Sequence, residues 1–103
     1  METVQWGRQE VLKLHEACKV KELIINPGRC ITSHLHKKHG DHWIITKGKA
    51  RVTIGSDTHV IQTNQHMYIP TGVKHKIENY SNDILILIEV QVGKYFGDDD
   101  IFN

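Results

Sequence analysis

Four side chains in this sequence have the types and the spacing of a metal site. His34 and His36 are separated by one residue, Asp41 follows His36 by five positions, and His75 ends the run Pro70–His75. In a β-strand, side chains two residues apart point to the same face, so the first two imidazoles would face the same side. A turn through residues 38–40 would then let the next strand present the carboxylate beside them.

The chemistry of this set favours a divalent transition metal. Three imidazoles and one carboxylate suit a borderline cation and leave coordination positions free for water or substrate. We expect zinc in preference to manganese, iron, nickel or cobalt. The sequence holds eight histidines in 103 residues, and this high content also favours metal chemistry.

Length and charge restrict the classes of protein to consider. At 103 residues we expect a single domain covering residues 1–103. The 13 basic and 12 acidic residues are interspersed and give a formal charge of +1, which predicts neither a nucleic acid nor a membrane partner. A small-molecule ligand fits better. We expect a cytoplasmic protein with Cys18 and Cys30 as reduced thiols, because the N-terminus is polar and neither cysteine lies in a CxxC motif.

The elements that must position the candidate ligands are short strands. Apolar residues recur with period two, and no run of ten or more residues has helical periodicity, which predicts an all-β chain. Frequent turn formers punctuate it and favour a sandwich or jelly-roll barrel. The predicted strands are Gln9–Leu14, Lys19–Ile25, Cys30–His36, His42–Thr46, Lys49–Ile54, Thr58–Thr63, His66–Ile69, His75–Asn79 and Ile84–Val92.

The last strand and the tail carry further expectations. The segment Ile84–Ile88 is apolar at every position, so both of its faces need cover, and a homodimer could supply one. The tail Gly93–Asn103 is expected to lie across the surface or to fray at its last residues.

The motif residues resemble those of the cupin superfamily, whose fold is a double-stranded β-helix. The first cupin motif is Gly, five residues, His-x-His, three or four residues, Glu, six residues and Gly; its positions are occupied here by Gly28, His34, His36, Asp41 and Gly48. The second motif, ending in Pro-x-Gly-x-x-His and Asn, is matched by Asn64, Pro70, Gly72, His75 and Asn79. Asn64 replaces a glycine, and asparagine tolerates the left-handed conformation better than other side chains do.

A narrower resemblance extends over nearly the whole chain. Several short segments are similar to those of the C-terminal cupin domain of type II phosphomannose isomerase / mannose-1-phosphate guanylyltransferase. They include Tyr68–Pro70, Gly72–His75, Ile88–Gln91 and Gly97–Ile101. This resemblance implies a metal-dependent isomerase that interconverts mannose 6-phosphate and fructose 6-phosphate. The chain differs from the family pattern at three positions, where His34 replaces Gln, His39 replaces Arg and Asp41 replaces Glu.

Isomerisation also needs a base, and the sequence leaves its identity open. His39, Lys21 and Lys74 are the candidates, and Arg29, Lys37 and Lys38 could join Lys74 in attracting a sugar phosphate. Two other functions remain open. A small cupin could bind a carbohydrate or metabolite without catalysis. Three histidines and a carboxylate could also hold iron in a metal-dependent oxygenase.

Overall fold

The computed structural model describes residues 1–103 and consists of strands, turns and connecting segments. The chain forms no helix with the length and apolar character that a membrane crossing requires. The ten strands are β1 (Glu2–Val4), β2 (Gly7–Leu14), β3 (Cys18–Ile25), β4 (Cys30–His34), β5 (His39–Lys47), β6 (Lys49–Ile54), β7 (Asp57–Gln62), β8 (His66–Ile69), β9 (His75–Glu78) and β10 (Leu85–Gly93).

The strands form two antiparallel sheets. The larger sheet has six strands in the order β1-β2-β3-β10-β5-β8, and the smaller has four in the order β4-β9-β6-β7. The prediction of an all-β chain is therefore confirmed. Sequence neighbours often lie in different sheets, as β4 and β5 do, so the candidate ligands on these two strands approach each other across the interior.

The hydrophobic core lies between the sheets and follows the alternation of the strands. On β10, Leu85 and Leu87 are fully buried, and on β5, Trp43 and Ile45 are buried in the same way. Side chains between them point to the other face, as expected for a pleated strand. The core cluster comprises Leu23, Ile25, Trp43, Ile45, Ala50, Val52, Ile61, Ile69, Ile77, Leu85 and Leu87.

Two turns show why the motif positions carry the residues they do. Asn64 has a φ of 73° and is the only non-glycine residue with a positive φ, in agreement with the tolerance expected of asparagine. Gly72 has a φ of 82° in the loop that leads into β9. A side chain at position 72 would strain that backbone, so glycine is the residue that lets the loop deliver His75 to the interior.

Asn79 has a structural role at the end of β9. Its side chain is 1% exposed, and its Nδ2 donates to the carbonyls of Ile25 and Asp83 at 2.9 and 2.7 Å. The amide thus fastens the β9–β10 connection to β3. Both acceptors are backbone carbonyls, so this motif residue stabilises the loop. Its side-chain amide is committed to these bonds and does not join the cluster of imidazoles.

Several predicted boundaries were wrong. The short β1 was missed, and the predicted strand Cys30–His36 ends at His34. The predicted turn over residues 38–40 is not formed, because β5 begins at His39 and Gly40 pairs with Val92 on β10. The chain bends earlier, at residues 37 and 38. Cys18 and Cys30 are free, as expected.

The tail does not fray. Leu35 and Phe102 exchange two backbone hydrogen bonds of 2.8 and 3.0 Å, and Asp100 is 3% exposed. The end of the chain therefore lies across the segment that follows β4.

We predict that truncating the core will destabilise the protein far more than truncating the surface. Leu85→Ala, at a position with 0% exposure, should lower the free energy of unfolding by about 2–5 kcal/mol, because it leaves a cavity. Leu14→Ala, on a strand but 66% exposed, should change it by less than about 0.5 kcal/mol. Urea unfolding followed by tryptophan fluorescence measures both, and equal losses would contradict the assigned core.

Candidate metal centre

Strand pairing brings the candidate ligands together from both sheets. His34 on β4 is the direct cross-strand partner of His75 on β9. His36 lies two residues beyond the end of β4, and its carbonyl accepts a 2.7 Å hydrogen bond from the Gly72 amide. This bond joins the two motif segments. Asp41 reaches the same point from β5 in the larger sheet.

The distances describe a compact cluster. One ring nitrogen from each of His34, His36 and His75 lies within 4.8 Å of the others. Asp41 Oδ2 lies 3.7 Å from His36 Nε2 and 3.5 Å from His75 Nε2. The four side chains predicted from the motifs are thus neighbours, and Asp41 faces two of the imidazoles.

A second set of bonds fixes the orientation of the three imidazoles. Each Nδ1 contacts a backbone carbonyl, and a carbonyl can only accept, so Nδ1 must carry the proton and Nε2 must present its lone pair. The carbonyls belong to Thr32 for His34 at 2.7 Å, Asp100 for His36 at 2.6 Å and Val73 for His75 at 2.9 Å. Histidines that bind metals are oriented by such contacts.

Two buried polar atoms at the centre of the cluster lack a hydrogen-bond partner. They are Asp41 Oδ2 and His75 Nε2, on side chains that are 1% and 2% exposed. A buried polar atom without a partner costs free energy, and most such atoms in proteins are satisfied. A cation between them would satisfy both, so the residues present fit a bound metal ion.

Burial and charge interactions shift the pKa values of all four clustered groups, and for Asp41, His34 and His36 the shift favours the form that binds a cation. Burial alone would raise the pKa of Asp41, but a 2.9 Å hydrogen bond from His39 Nδ1 and the nearby imidazoles lower it to about 2. Burial lowers the pKa of His34 and of His36, which favours neutral rings. Burial also acts to lower the pKa of His75, but Asp41 and the Val73 carbonyl together outweigh it and raise that pKa, so a metal ion has to displace a proton from this ring.

The three candidate bases lie in different surroundings. His39 is 3% exposed and stacks on His36 with ring centroids 4.2 Å apart. Lys21 is half-buried, and its Nζ lies 3.5 Å from Gln9 Oε1. Lys74 is exposed in the loop before β9. The structure therefore brings His39 and Lys21 into the interior and leaves Lys74 outside.

His39 also belongs to a second group of possible ligands, with His36 and Asp100. Several polar atoms of this group already have hydrogen-bond partners. His39 Nδ1 donates to Asp41, and both Asp100 carboxylate oxygens accept backbone amides, from Lys37 at 3.0 Å and Lys38 at 2.9 Å. These bonds support the first cluster from outside.

A cavity of about 250 Å³ opens beside the cluster. Its wall includes His34 and His36 from the cluster and Lys21 from β3. The full lining is Val4, Trp6, Gln9, Lys21, Leu23, Ile31, His34, His36, Trp43, Glu89, Gln91, Asp98 and Ile101. A larger hollow of about 600 Å³ at residues 14–19 and 94–97 is shallow and holds none of the clustered imidazoles.

Three residues around the site escaped the sequence analysis. Glu89 and Gln91 line the cavity, at inward positions of a strand that is otherwise apolar. A polar residue at a core position of an alternating pattern is an available signal. The part played by Asp100 depends on a contact 64 positions away in the sequence, with His36, and no local pattern reveals it.

Comparisons with known proteins agree with this geometry. The family described as "Mannose-6-phosphate isomerase C-terminal" matches residues 3–103. The chain is 40% identical over 96 residues to a mannose-1-phosphate guanylyltransferase of Salmonella montevideo, covering 93% of this chain and 20% of that protein. It is 38% identical over 96 residues to the xanthan biosynthesis protein XanB of Xanthomonas campestris, with coverage of 93% and 21%. The chain thus spans about a fifth of the length of these relatives.

A solved structure supports the fold. An uncharacterized protein with a double-stranded β-helix domain from Klebsiella pneumoniae has a TM-score of 0.83 at 19% identity, covering 94% of this chain and 85% of that one. The match over residues 3–103 and the double-stranded β-helix together confirm the resemblance drawn from the motifs. The chain belongs to the mannose-6-phosphate isomerase C-terminal family and has the cupin fold.

Proposed function

We propose that this chain is a metal-dependent isomerase that interconverts mannose 6-phosphate and fructose 6-phosphate. The observation that carries the proposal is the cluster of three imidazoles, two of which lie within 3.7 Å of Asp41 Oδ2, beside a cavity of about 250 Å³. The family adds the substrate class, because its description names mannose 6-phosphate isomerase. The relatives that include this segment are named for mannose 1-phosphate chemistry or for xanthan biosynthesis.

His34, His36, Asp41 and His75 would hold the metal, with zinc as our first choice. Aldose–ketose isomerisation passes through an enediolate, and the bound ion would act as a Lewis acid that stabilises its negative charge. Three imidazoles and one carboxylate leave room for substrate oxygens. His39 would hold Asp41 in place through the hydrogen bond to Oδ1.

The cavity limits the size of the substrate. A volume of about 250 Å³ lies just below the range of about 300–1,000 Å³ found for drug-sized ligands, and it favours a small metabolite. Its wall combines indole and aliphatic surface with polar and charged side chains, a combination that suits a small polar ligand. Of the three candidate bases, Lys21 alone lines this cavity, and we propose that its ammonium group contacts the sugar phosphate.

The outer face of the larger sheet supports the proposed homodimer. Ile86 and Ile88 on β10 are half-buried, and Ile44, the cross-strand partner of Ile88, is 41% exposed. Tyr68, on the next strand, is 54% exposed. Exposed apolar side chains on one face of a sheet favour an interaction site. A second copy of the chain would cover it.

Metal binding and isomerisation should be lost together. We predict that the wild type binds one zinc ion per chain and converts mannose 6-phosphate to fructose 6-phosphate. His36→Ala and His75→Ala should weaken zinc binding by at least about 100-fold and should abolish turnover. This loss is larger than the one caused by removing a residue that only hydrogen-bonds to a metal ligand. Calorimetric titration with zinc and an assay for fructose 6-phosphate measure the two effects.

Two exposed histidines supply matched controls. His59→Ala and His66→Ala remove imidazoles from β7 and β8 and should change neither quantity. A wild type that binds the sugar phosphate only with metal but never converts it would favour the non-catalytic binding module. Oxygen uptake by an iron-loaded protein would favour the oxygenase.

The tail should contribute to metal affinity. Asp100→Ala removes the carboxylate that holds the amides of Lys37 and Lys38, and with it the fixed position of the carbonyl that orients His36. We predict a loss of zinc affinity of about 10–100-fold, typical of an outer partner. Asp99→Ala, at the exposed neighbouring position, is the control, and equal affinities of the two variants would refute this role of the tail.

The proposed dimer can be tested by a substitution on the outer face of the larger sheet. Ile44→Asp places a charge in the apolar face and should halve the mass measured by light scattering after gel filtration, because a buried unpaired charge is costly. Val60→Asp, 56% exposed on β7 of the other sheet, should leave the mass unchanged. A wild type with the mass of one chain would contradict the dimer.

A further inference from the structure

Two polar side chains occupy core positions on β10. The strand buries every second residue, and Leu85 and Leu87 are followed at the same parity by Glu89 and Gln91, which are 7% and 5% exposed. Both side chains line the cavity beside the imidazole cluster. Burying a carboxyl group and an amide instead of two leucines costs stability. The metal cluster does not use them, so they need another explanation.

The carboxyl group of Glu89 is held in a fixed orientation. Its Oε2 accepts a 2.8 Å hydrogen bond from the indole Nε1 of Trp43, and its Oε1 accepts a 3.0 Å bond from Gln91 Nε2. Both donors come from neighbouring inward positions of β5 and β10. A carboxyl group held at both oxygens is ordered before any ligand arrives.

Gln91, the cross-strand partner of Asp41, supplies a further sign of a ligand. Its Oε1 is buried and has no hydrogen-bond partner, although the residue lines the cavity. Amide oxygens accept hydrogen bonds, and a buried acceptor without a donor is rare. A hydroxyl group of a molecule in the cavity would satisfy it. Sugars carry such hydroxyl groups on successive carbons.

The position of Glu89 relative to the cluster suits proton transfer. Glu89 belongs to the larger sheet, whereas His34 belongs to the smaller one, and both contribute to the wall of the same cavity of about 250 Å³. A small ligand in this space would contact the carboxyl group on one side and the imidazole cluster on the other. Lys21 is the cross-strand neighbour of Glu89 on β3 and lines the cavity too.

The protonation of Glu89 is consistent with such a role. Burial raises the pKa of the carboxyl group, and the negative charge of Asp41 raises it further. The Trp43 bond and the charges of Lys21 and His75 oppose this rise without cancelling it. A carboxyl group with a raised pKa both accepts and returns a proton more readily near neutral pH than an ordinary glutamate does.

We propose that Glu89 is the catalytic residue that carries the proton between C2 and C1 of the sugar phosphate, and that Gln91 Oε1 accepts a hydrogen bond from a substrate hydroxyl group. This assignment rests on the proposed isomerase function and adds a residue to the candidates His39, Lys21 and Lys74.

The proposed step conserves atoms and electrons. The Glu89 carboxylate removes the proton from C2 of the open-chain aldose, the C–H electron pair forms the C1–C2 double bond, and the carbonyl π pair moves to O1. The protonated carboxyl group then returns the proton to C1. The O2 hydroxyl proton passes to O1 as C2 becomes the carbonyl carbon. No oxidant, reductant or other reactant is consumed.

The test replaces the carboxyl group by an amide of the same shape. Glu89→Gln retains an oxygen that accepts from Trp43, and its amide nitrogen can donate to Gln91 once that side chain turns. The amide cannot take a proton from carbon, so kcat should fall by about 10²–10⁴-fold. Zinc content and melting temperature should match the wild type. Glu89→Asp, which keeps the acid but withdraws it from the substrate, should also lose kcat and retain zinc.

The matched control is Glu22→Gln on the neighbouring strand. Glu22 pairs with Ile88 on the opposite face of the same sheet, outside the cavity, and its replacement should leave kcat unchanged. A second readout is the exchange of the C2 hydrogen of mannose 6-phosphate with deuterium from the solvent. The wild type should catalyse this exchange, and Glu89→Gln should not.

Each outcome distinguishes the two proposals. If the wild type isomerises the sugar phosphate and Glu89→Gln retains kcat within about threefold, the assignment of Glu89 is overturned and the isomerase function stands. If Glu89→Gln and Glu89→Asp both lose activity only because zinc or the fold is lost, the residue is structural and the assignment is overturned. If the wild type neither isomerises the substrate nor exchanges its C2 hydrogen, both proposals fail.

Discussion

The candidate site depends on the hydrogen bond that each of three imidazoles makes to a backbone carbonyl. These bonds place the proton of His34, His36 and His75 on Nδ1 and leave Nε2 of each ring as a potential ligand. The cost of this arrangement is visible in two buried atoms without partners, Asp41 Oδ2 and His75 Nε2. Each unsatisfied atom costs about 1–3 kcal/mol, which a bound cation would recover.

The fold makes this arrangement possible because it faces two sheets across one interior. The β4–β9 pair supplies His34 and His75 from the smaller sheet, and β5 supplies Asp41 from the larger. The apolar core fills the rest of the space between the sheets and stabilises both sides. The tail adds the last constraint, since Asp100 orients His36 and fastens the loop after β4. The strand pairs and tail contacts that stabilise the fold therefore also position the candidate metal ligands.

Local patterns in the sequence were enough for much of this account. Alternating apolar residues predicted nine of the strands, and the spacing of His34, His36, Asp41 and His75 predicted a cluster that the structure brings together. The end of β4 was missed, because Leu35 pairs with Phe102 in the tail, 67 positions later. The contact between Leu35 and Phe102 is long-range and has no local signature. The short β1 was missed as well, although it forms a local hairpin with β2 in which Val4 pairs with Gly7. Glu89 is different, because the alternation of residues along β10 places it at an inward position. A charged residue at such a position is an exception within an apolar strand and can be recognised from the sequence.

The most direct test of the central claim is anomalous X-ray scattering from a crystal grown with zinc. The account predicts one strong peak at about 2.0–2.1 Å from Nε2 of His34, His36 and His75, on the side of Asp41, with each Nδ1 still bonded to its carbonyl. A peak at other residues, or imidazoles that turn Nδ1 toward the ion, would contradict it.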